Sequence, residues 1–482
     1  MPFRHGSRVT EAPTSLLTPV VATATLPIVF GTAPIHLAKT TEHVNDIVVA
    51  YSFGEAQAAL GYSDEWKDYT LCEAMDAAFR QFNVAPVIFV NVLDPDKHSE
   101  SGEEEVEVVN KKASLKAKNV LLDTLKVKLT AADETPLKRE EDYVASFDDD
   151  GQVVIVPLNN ATKLHVAFKR LTPKAVTEND IIGGSDVNTG KLKGLELLNA
   201  VFPKTGMVPG LVLAPKFSKN PMVAAVMKAK ASVINTYFRA ASLADIDTKE
   251  ADIYTKANEW KNKNNYTGTN EIVSWPLIGL GDNVYHLSTQ LAFRIVETAA
   301  DNGDYPHESP SNKNLSMNRM LIEKAEGEYE EVDLGPDQAE LLNSQGIVTA
   351  LNFIGGFKAW GNNTGAFPAN TDVKDIFIPV RITHNWLANS IILTTWSKVD
   401  GPIRPRLVDS IVDTMNMWLN GLQSQEVLLG GRVEFRQEDN PKTDLISGKL
   451  RFRYFVAEPT PAQDIENILE FDANYYDNLF VE

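Results

Sequence analysis

Gly356 and Gly361 have the spacing that opens a phosphate-binding loop. In such a loop backbone N–H groups cradle phosphate, and a following lysine and hydroxyl reach phosphate and magnesium. Here Asn362 and Asn363 stand where those two residues are needed, so the stretch reads as a turn. Gly184 and Gly190-Lys191 supply a lysine, but the spacing is one residue too long and Leu192 replaces the hydroxyl. Gly183-Gly184-Ser185-Asp186-Val187 lacks the last glycine of a nucleophile elbow. Gly279-Leu280-Gly281 lacks the third glycine of a dinucleotide loop. The eight histidines include no pair four residues apart around a glutamate, and His307-Glu308 stands alone in a Pro-Ser-Asn loop. Asp148-Asp149-Asp150-Gly151 has neither the spacing nor the terminal glutamate of a calcium loop and reads as a hairpin turn. Cys72, the single cysteine, falls on the apolar face of a helix and reads as a buried thiol. It excludes an intrachain disulfide framework and a multi-cysteine zinc site, and it points to a reducing compartment. No catalytic residue, cofactor-binding residue or metal ligand is assigned, and the chain reads as a non-enzyme without cofactors.

The elements around these residues are those of a large globular chain. At roughly 150 residues per domain, 482 residues make about three domains. The hydrophobic fraction of 43% and charged fraction of 23% exclude a disordered scaffold. With 46 basic and 65 acidic residues the net charge is −19, which repels a phosphate backbone, so nucleic acid is not expected as a partner. No stretch has the 18 or so apolar residues of a membrane span, so direct membrane insertion is not expected either. Arg4 and Arg8 imitate the start of a secretory signal, but Glu11 follows, and Pro13, Pro19 and Pro27 break the apolar stretch.

Strand and helix alternate from about residue 26, through Leu26–Phe30, Ile47–Tyr51 and a helix at Gly54–Leu60. A helix follows on the three- and four-residue spacing of Trp66, Tyr69, Cys72, Met75, Phe79 and Phe82. Val87–Val90 is apolar on both faces, as in a parallel sheet covered by helices. Between residues 95 and 183 the pattern becomes short alternating strands, preceded by an acidic run from Glu100 to Glu107 that reads as a solvated loop. The α/β pattern resumes with helices at Leu192–Phe202, Met222–Phe238, Tyr254–Lys263 and Leu287–Ala300, and strands at Leu211–Ala214 and Glu271–Leu280. The last third holds a helix at Pro336–Ser344, a strand at Ile347–Ile354, helices at Asp375–Trp396 and Pro405–Gln425, and an antiparallel pair at Arg432–Gln437 and Lys449–Val456. The fold class is therefore mixed α/β and α+β. Residues 1–25 form an N-terminal arm, and 26–94 with 184–335 a discontinuous α/β domain. Residues 95–183 are an inserted β-rich domain, 336–464 a C-terminal α+β domain and 465–482 a C-terminal arm. The alternation of Ile465, Asn467 and Leu469 beyond the last hairpin suits either a strand donated to a neighbouring copy or an end packed on its own subunit.

Several stretches resemble the tail sheath proteins of contractile phage tails and related contractile injection systems. They are His5-Gly6 with Val9, Glu11 and Pro13; the run Pro27 to Pro34; the loop Pro306–Lys313; Asp337–Asn343 with Gly346-Ile347; and Trp360–Thr364, where Asn362 departs from the family pattern. The most specific is the C-terminal block, Gly430-Gly431 through Asn440-Pro441, Gly448–Leu450 and Pro459 to Phe480. The resemblance implies a structural subunit that polymerises as a six-start helical homo-oligomer around an inner tail tube, with its C-terminal domain nearest the tube. Neighbouring subunits exchange terminal strands, and contraction from a metastable lattice drives tube ejection without nucleotide. Baseplate and tail terminator proteins are the other implied partners, and the virion tail, assembled in the host bacterial cytoplasm, is the implied location. On this view Val9, Leu16 and Val20 anchor one arm, and Ile465, Phe471, Tyr475, Leu479 and Phe480 the other. Lys398, Arg404 and Arg406, a basic cluster in an acidic chain, are the tube-facing candidates. The alternatives are another tail or baseplate component, and an α/β enzyme that binds a nucleotide or small acid with the β insertion as a lid.

Overall fold

The computed structural model describes residues 19–148 and 150–480. Strands that are apolar on both faces need cover on both sides, and they build the centre of the molecule. An eight-stranded sheet runs in the order Val48–Ala50, Val87–Asn91, Pro27–Gly31, Leu211–Leu213, Ala241–Asp245, Glu271–Ser274, Ile347–Asn352, Phe357–Trp360. The central six strands are parallel, and the short strand at each edge is antiparallel to its neighbour. Residues 347–360, expected in the C-terminal domain, thus belong to this sheet. Ile347–Leu351 is buried throughout, which suits a strand covered on both faces.

Local chemistry explains several departures from the expected elements. Glu271–Leu280 is two strands, because Pro276 has no N–H to continue the ladder. The second of them joins a four-stranded antiparallel sheet with Asn283–Tyr285, Arg319–Ala325 and Glu328–Glu331. The helix after residue 66 begins at Thr70, so Trp66 and Tyr69 precede it, although both are buried. Residues 192–197 form a short strand and a 3-10 turn before the helix Leu198–Thr205. The helix from Pro221 stops at Ser232, and Asn235 and Thr236 then take positive φ angles of 50° and 70°.

The acidic run is a strand, not a loop. Ser99–Glu107 pairs along its whole length with Lys163–Leu171, which also pairs with Lys126–Lys128. A second three-stranded sheet, Ala113–Ser114, Val153–Pro157 and Tyr143–Phe147, encloses with it a separate core that includes Leu115, Val127, Ile155 and Val166.

The last third packs two long helices, Ile378–Trp396 and Pro405–Ser424, through the Trp386 and Trp418 rings, 5.7 Å apart. Strands Gly430–Glu434 and Arg453–Ala457 form a two-stranded antiparallel hairpin, with a short helix at Lys442–Ile446 between them. Among the described residues no helix is long and apolar enough to cross a membrane.

Candidate assembly interface

After Ala457 the chain passes Pro459 and Pro461 and makes no strand. Every residue from Ala462 to Tyr476 is exposed, and Ala473–Phe480 forms a single 3-10 segment. Ile465 is 72% exposed, Leu469 99%, Phe471 80%, Tyr475 73% and Leu479 74%. Covering a side chain of this size is worth about 1.5–3 kcal/mol, so such a row of apolar groups is an uncovered apolar surface whose burial would be strongly favourable. Phe480 ends the 3-10 segment, while Val9 and Leu16 lie outside the described residues.

Val20 behaves differently. Its N–H donates to Thr394 Oγ1 at 2.9 Å, the Ala22 N–H to Ser390 Oγ at 3.0 Å, and the Trp386 indole N–H to the Ala22 carbonyl at 2.9 Å. Ala22, Ala24 and Thr25 are buried. The segment expected as a free arm up to residue 25 is therefore docked on its own chain from Val20 onward, along the helix Ile378–Trp396. The cause is the small polar face of that helix, Ser390 and Thr394, which supplies hydroxyls for an extended main chain.

The hairpin lies where the tail leaves. Among the described residues its strands pair only with each other, with Arg432 opposite Phe455 and Val433 opposite Tyr454. Val433 is buried, and Tyr454 and Val456 pack against the core, so the alternate residues Arg432, Glu434, Arg453 and Phe455 face outward. The guanidinium groups of Arg432 and Arg436 lie over the Phe455 ring, at 4.1 and 4.8 Å from its centroid. At the root of the tail, Glu458 Oε1 meets His384 Nδ1 at 2.9 Å.

Lys398, Arg404 and Arg406 sit in and beside the turn between the two long helices. Lys398 is half-buried and the two arginines are exposed. Among the described residues none of the three forms an ion pair. Sequence reasoning missed the apolar surface beside them: Trp396 and Tyr237 stack edge to face at 5.1 Å, both about half exposed, with Val399 and Ile403 also exposed. The turn that carries the three cations thus follows Trp396, whose aromatic pairing no periodicity would have flagged because Tyr237 comes from a distant loop.

The motif stretches have structural work. Gly356 sits at the tip of the hairpin joining Ile347–Asn352 to Phe357–Trp360. The loop after His307 is stitched to that hairpin by Asn312 N–H to Ala359 O, 2.7 Å, Ala359 N–H to Lys313 O, 2.9 Å, and Gly361 N–H to Ser311 Oγ, 3.0 Å. Gly361 has φ 137°, and a Cβ there would come within 2.6 Å of Asn343 Oδ1. Gly346 has φ 66° and would meet the Thr364 carbonyl at 2.4 Å. Cys72 is buried, which pushes its thiol up to about 12.

A ligand of the α/β core would sit beyond the carboxyl ends of the parallel strands. A cavity of about 700 Å³ is there, lined by Lys216, Lys219, Lys249, His286, Glu73 and Glu323 among others. Its charges answer one another: Lys219 lies 3.6 Å from both Asp247 and Glu323, Lys249 lies 3.3 Å from Glu323, and the His286 ring meets Glu73 at 2.8 Å. Lys216 donates to the Lys67 carbonyl at 2.7 Å. Among the described residues no three histidine, cysteine or carboxylate groups converge as a metal site.

No family model matches the chain. The tail sheath protein of Burkholderia phage BcepMu is 26% identical over 496 residues, covering 98% of both chains. The major tail sheath protein of Serratia phage KSP20 is 27% identical over 308 residues, covering 62% of this chain and 72% of its own. Among solved structures, the sheath complex of the extracellular contractile injection system PVC, in the contracted state, has a TM-score of 0.57 at 12% identity, covering 98% of this chain and 100% of that one. The likeness to that structure is one of fold.

Proposed function

We infer that this chain, which belongs to the contractile tail sheath family, is the repeating subunit of a helical sheath that shortens around an inner tube. The observation that carries the mechanism is the exposed apolar tail from Ala462 onward, which follows a hairpin whose strands, among the described residues, pair only with each other. A donated segment adds main-chain hydrogen bonds to a sheet edge and buries its alternate side chains. The contact is heterologous: the tail of one copy meets the hairpin of the next, so the array does not close on itself and propagates as a helix. The seven residues after Ala457 form a tether that keeps copies linked while their globular parts repack.

Contraction in this reading is a passage from a trapped lattice to a more stable one, and each subunit contributes free energy as its contacts change. No nucleotide takes part, in keeping with charged cavity groups that pair among themselves, and the chain has no catalytic role. The six-start geometry, the inner tube, the baseplate and the tail terminator are the partners and arrangement proposed. The site of action is a virion tail, built in the cytoplasm of a host bacterium. Lys398, Arg404 and Arg406, with the neighbouring Trp396, are proposed to face the tube. The β-rich insertion, which carries a core of its own, is proposed as a separate domain outside this work.

Electron microscopy of the purified protein across a concentration and salt series tests this reading. Hollow helical tubes are expected. A protein that stays monomeric with added tube, and that is stabilised against heat by a nucleotide, would contradict it and favour the enzyme alternative.

A further inference from the structure

We propose that the apolar groove on the helix Pro405–Ser424 is the seat of residues 15–18 of this same chain, docked on their own subunit. The proposal does not depend on the C-terminal tail. It concerns how much of the N-terminal end can leave the subunit.

The groove has a volume of about 280 Å³, and its walls include Tyr305, Thr414, Met417, Trp418, Gly421 and Pro19. Trp418 packs against the core, whereas Met417 is 52% exposed. No backbone strain calls for glycine at 421: the residue lies inside the helix without a positive φ, and among the described residues a Cβ there would meet nothing within 4 Å. Glycine weakens a helix interior, so the helix gives up stability at Gly421 and gains open space in the groove wall.

Thr414 supplies a second observation. It is 3% exposed, and among the described residues its hydroxyl is buried without a hydrogen-bond partner, a state in which few native polar groups are left. The neighbouring helix Ile378–Trp396 shows what such hydroxyls hold. Thr394 accepts from the Val20 N–H at 2.9 Å and Ser390 from the Ala22 N–H at 3.0 Å, so alternate residues of the extended chain each meet one hydroxyl. Upstream of Val20, Pro19 has no N–H, and the next main-chain donor is Thr18. Thr18 is also the next residue in the series Ala22, Val20. In the proposed seat its N–H donates to Thr414 Oγ1.

Reach and composition name the occupant. Pro19 already lines the groove, and Leu17 and Leu16 are two and three residues upstream, within about 7 and 11 Å of chain. The two leucines point to opposite sides of an extended chain, so one of them enters the groove whichever way the chain turns at Pro19. Ser15 to Thr18 carry no charge to desolvate. With these residues seated, residues 1–14 are the part that can leave the subunit, a reach of at most about 50 Å.

Disulfide trapping in the full-length chain tests the seat, because the native Cys72 is buried. Met417→Cys is combined with Leu16→Cys or with Leu17→Cys, the protein is oxidised at a concentration where it is monomeric, and a non-reducing gel with peptide mapping is read. A disulfide-closed monomer from one of these pairs is expected. It should be at least 10-fold more abundant than with Met222→Cys, a comparably exposed position outside the groove, in place of Met417→Cys. A covalent dimer instead of the closed monomer would overturn the same-subunit seat, and trapping no stronger than with Met222→Cys would overturn the groove as the seat. Gly421→Leu, which fills the groove from the helix, is a second test. Thermolysin is expected to cut at Leu16 or Leu17 at least 10-fold faster in this variant than in the parent. Equal cutting rates in a variant that keeps the circular dichroism of the parent would overturn the proposal.

Discussion

At the scale of single residues, two buried histidines set opposite pH dependences. His36 lies between the Tyr69 and Phe147 rings, each 5.9 Å away, and burial lowers its pKa from 6.5 to about 4. On acidification the unfolded chain takes up that proton near pH 6.5, while the folded chain resists until about 4, so this contribution falls as pH drops through that window. Its size is of the order of 3 kcal/mol by pH 4. For His286, burial is the largest single influence and lowers the pKa, but the charge and hydrogen bond of Glu73 together with the charge of Asp245 outweigh it and the net shift is upward. That contribution is complete below pH 6.5 and is lost as pH rises through the raised value. The predicted consequence is that His36→Phe is more acid-resistant than the parent between pH 6.5 and 4, and denaturant unfolding at several pH values reads it. Reversing Arg404 and Arg406 to glutamate is predicted to spare self-assembly and to lower co-sedimentation with tube at least several-fold, because both side chains are exposed and outside any described ion pair. Residue types that fail to make a site were legible in the sequence, since a phosphate loop without its lysine fails on chemistry alone. The bonding of Asn416 to Val433 was not legible, because nothing in the spacing of the two residues says that one amide will bond both main-chain groups.

At the scale of elements, the helix Ile378–Trp396 is the hub of the last third. Trp386 is 1% exposed, touches Tyr305 and Trp418, and holds the Ala22 carbonyl. Trp386→Ala is expected to cost about 3–5 kcal/mol from lost burial and the cavity left behind. It should also free residues 20–25 from the helix, so limited proteolysis would cut between Val20 and Leu26 in the variant and not in the parent. The run Val87–Val90, apolar on both faces, announced a covered parallel strand, and the structure has it there; Leu211–Ala214, read as a strand, is one from Leu211 to Leu213. Charge misled in the acidic run: strand Ser99–Glu107 buries only Val106 and leaves its carboxylates in water, so its composition is that of a loop while its pairing is that of a strand. The docking of Val20 to Ala24 was hidden for a related reason. Its partners are hydroxyls more than 360 residues away, and periodicity reports only local order.

At the scale of the whole molecule, the folded body ends before the tail begins. Among the described residues no apolar side chain beyond Val433 is fully buried, although Phe452, Tyr454 and Val456 pack against the core, and the last strand ends at Ala457. The described chain therefore divides into a packed body and an exposed terminal segment that adds nothing to the buried core. Alternation at Ile465, Asn467 and Leu469 made the segment visible in the sequence, whereas the exposure of its apolar side chains required coordinates. Removing residues 462–482 separates assembly from folding. The truncated chain is predicted to keep the thermal unfolding midpoint of the full-length protein within about 2 °C. Electron microscopy with sedimentation of the two forms, under conditions where the full-length chain makes hollow tubes, tests the central claim most directly. The account predicts tubes from the full-length protein and folded, slowly sedimenting monomers from the truncated one; tubes of the same diameter and abundance from the truncated chain would contradict it.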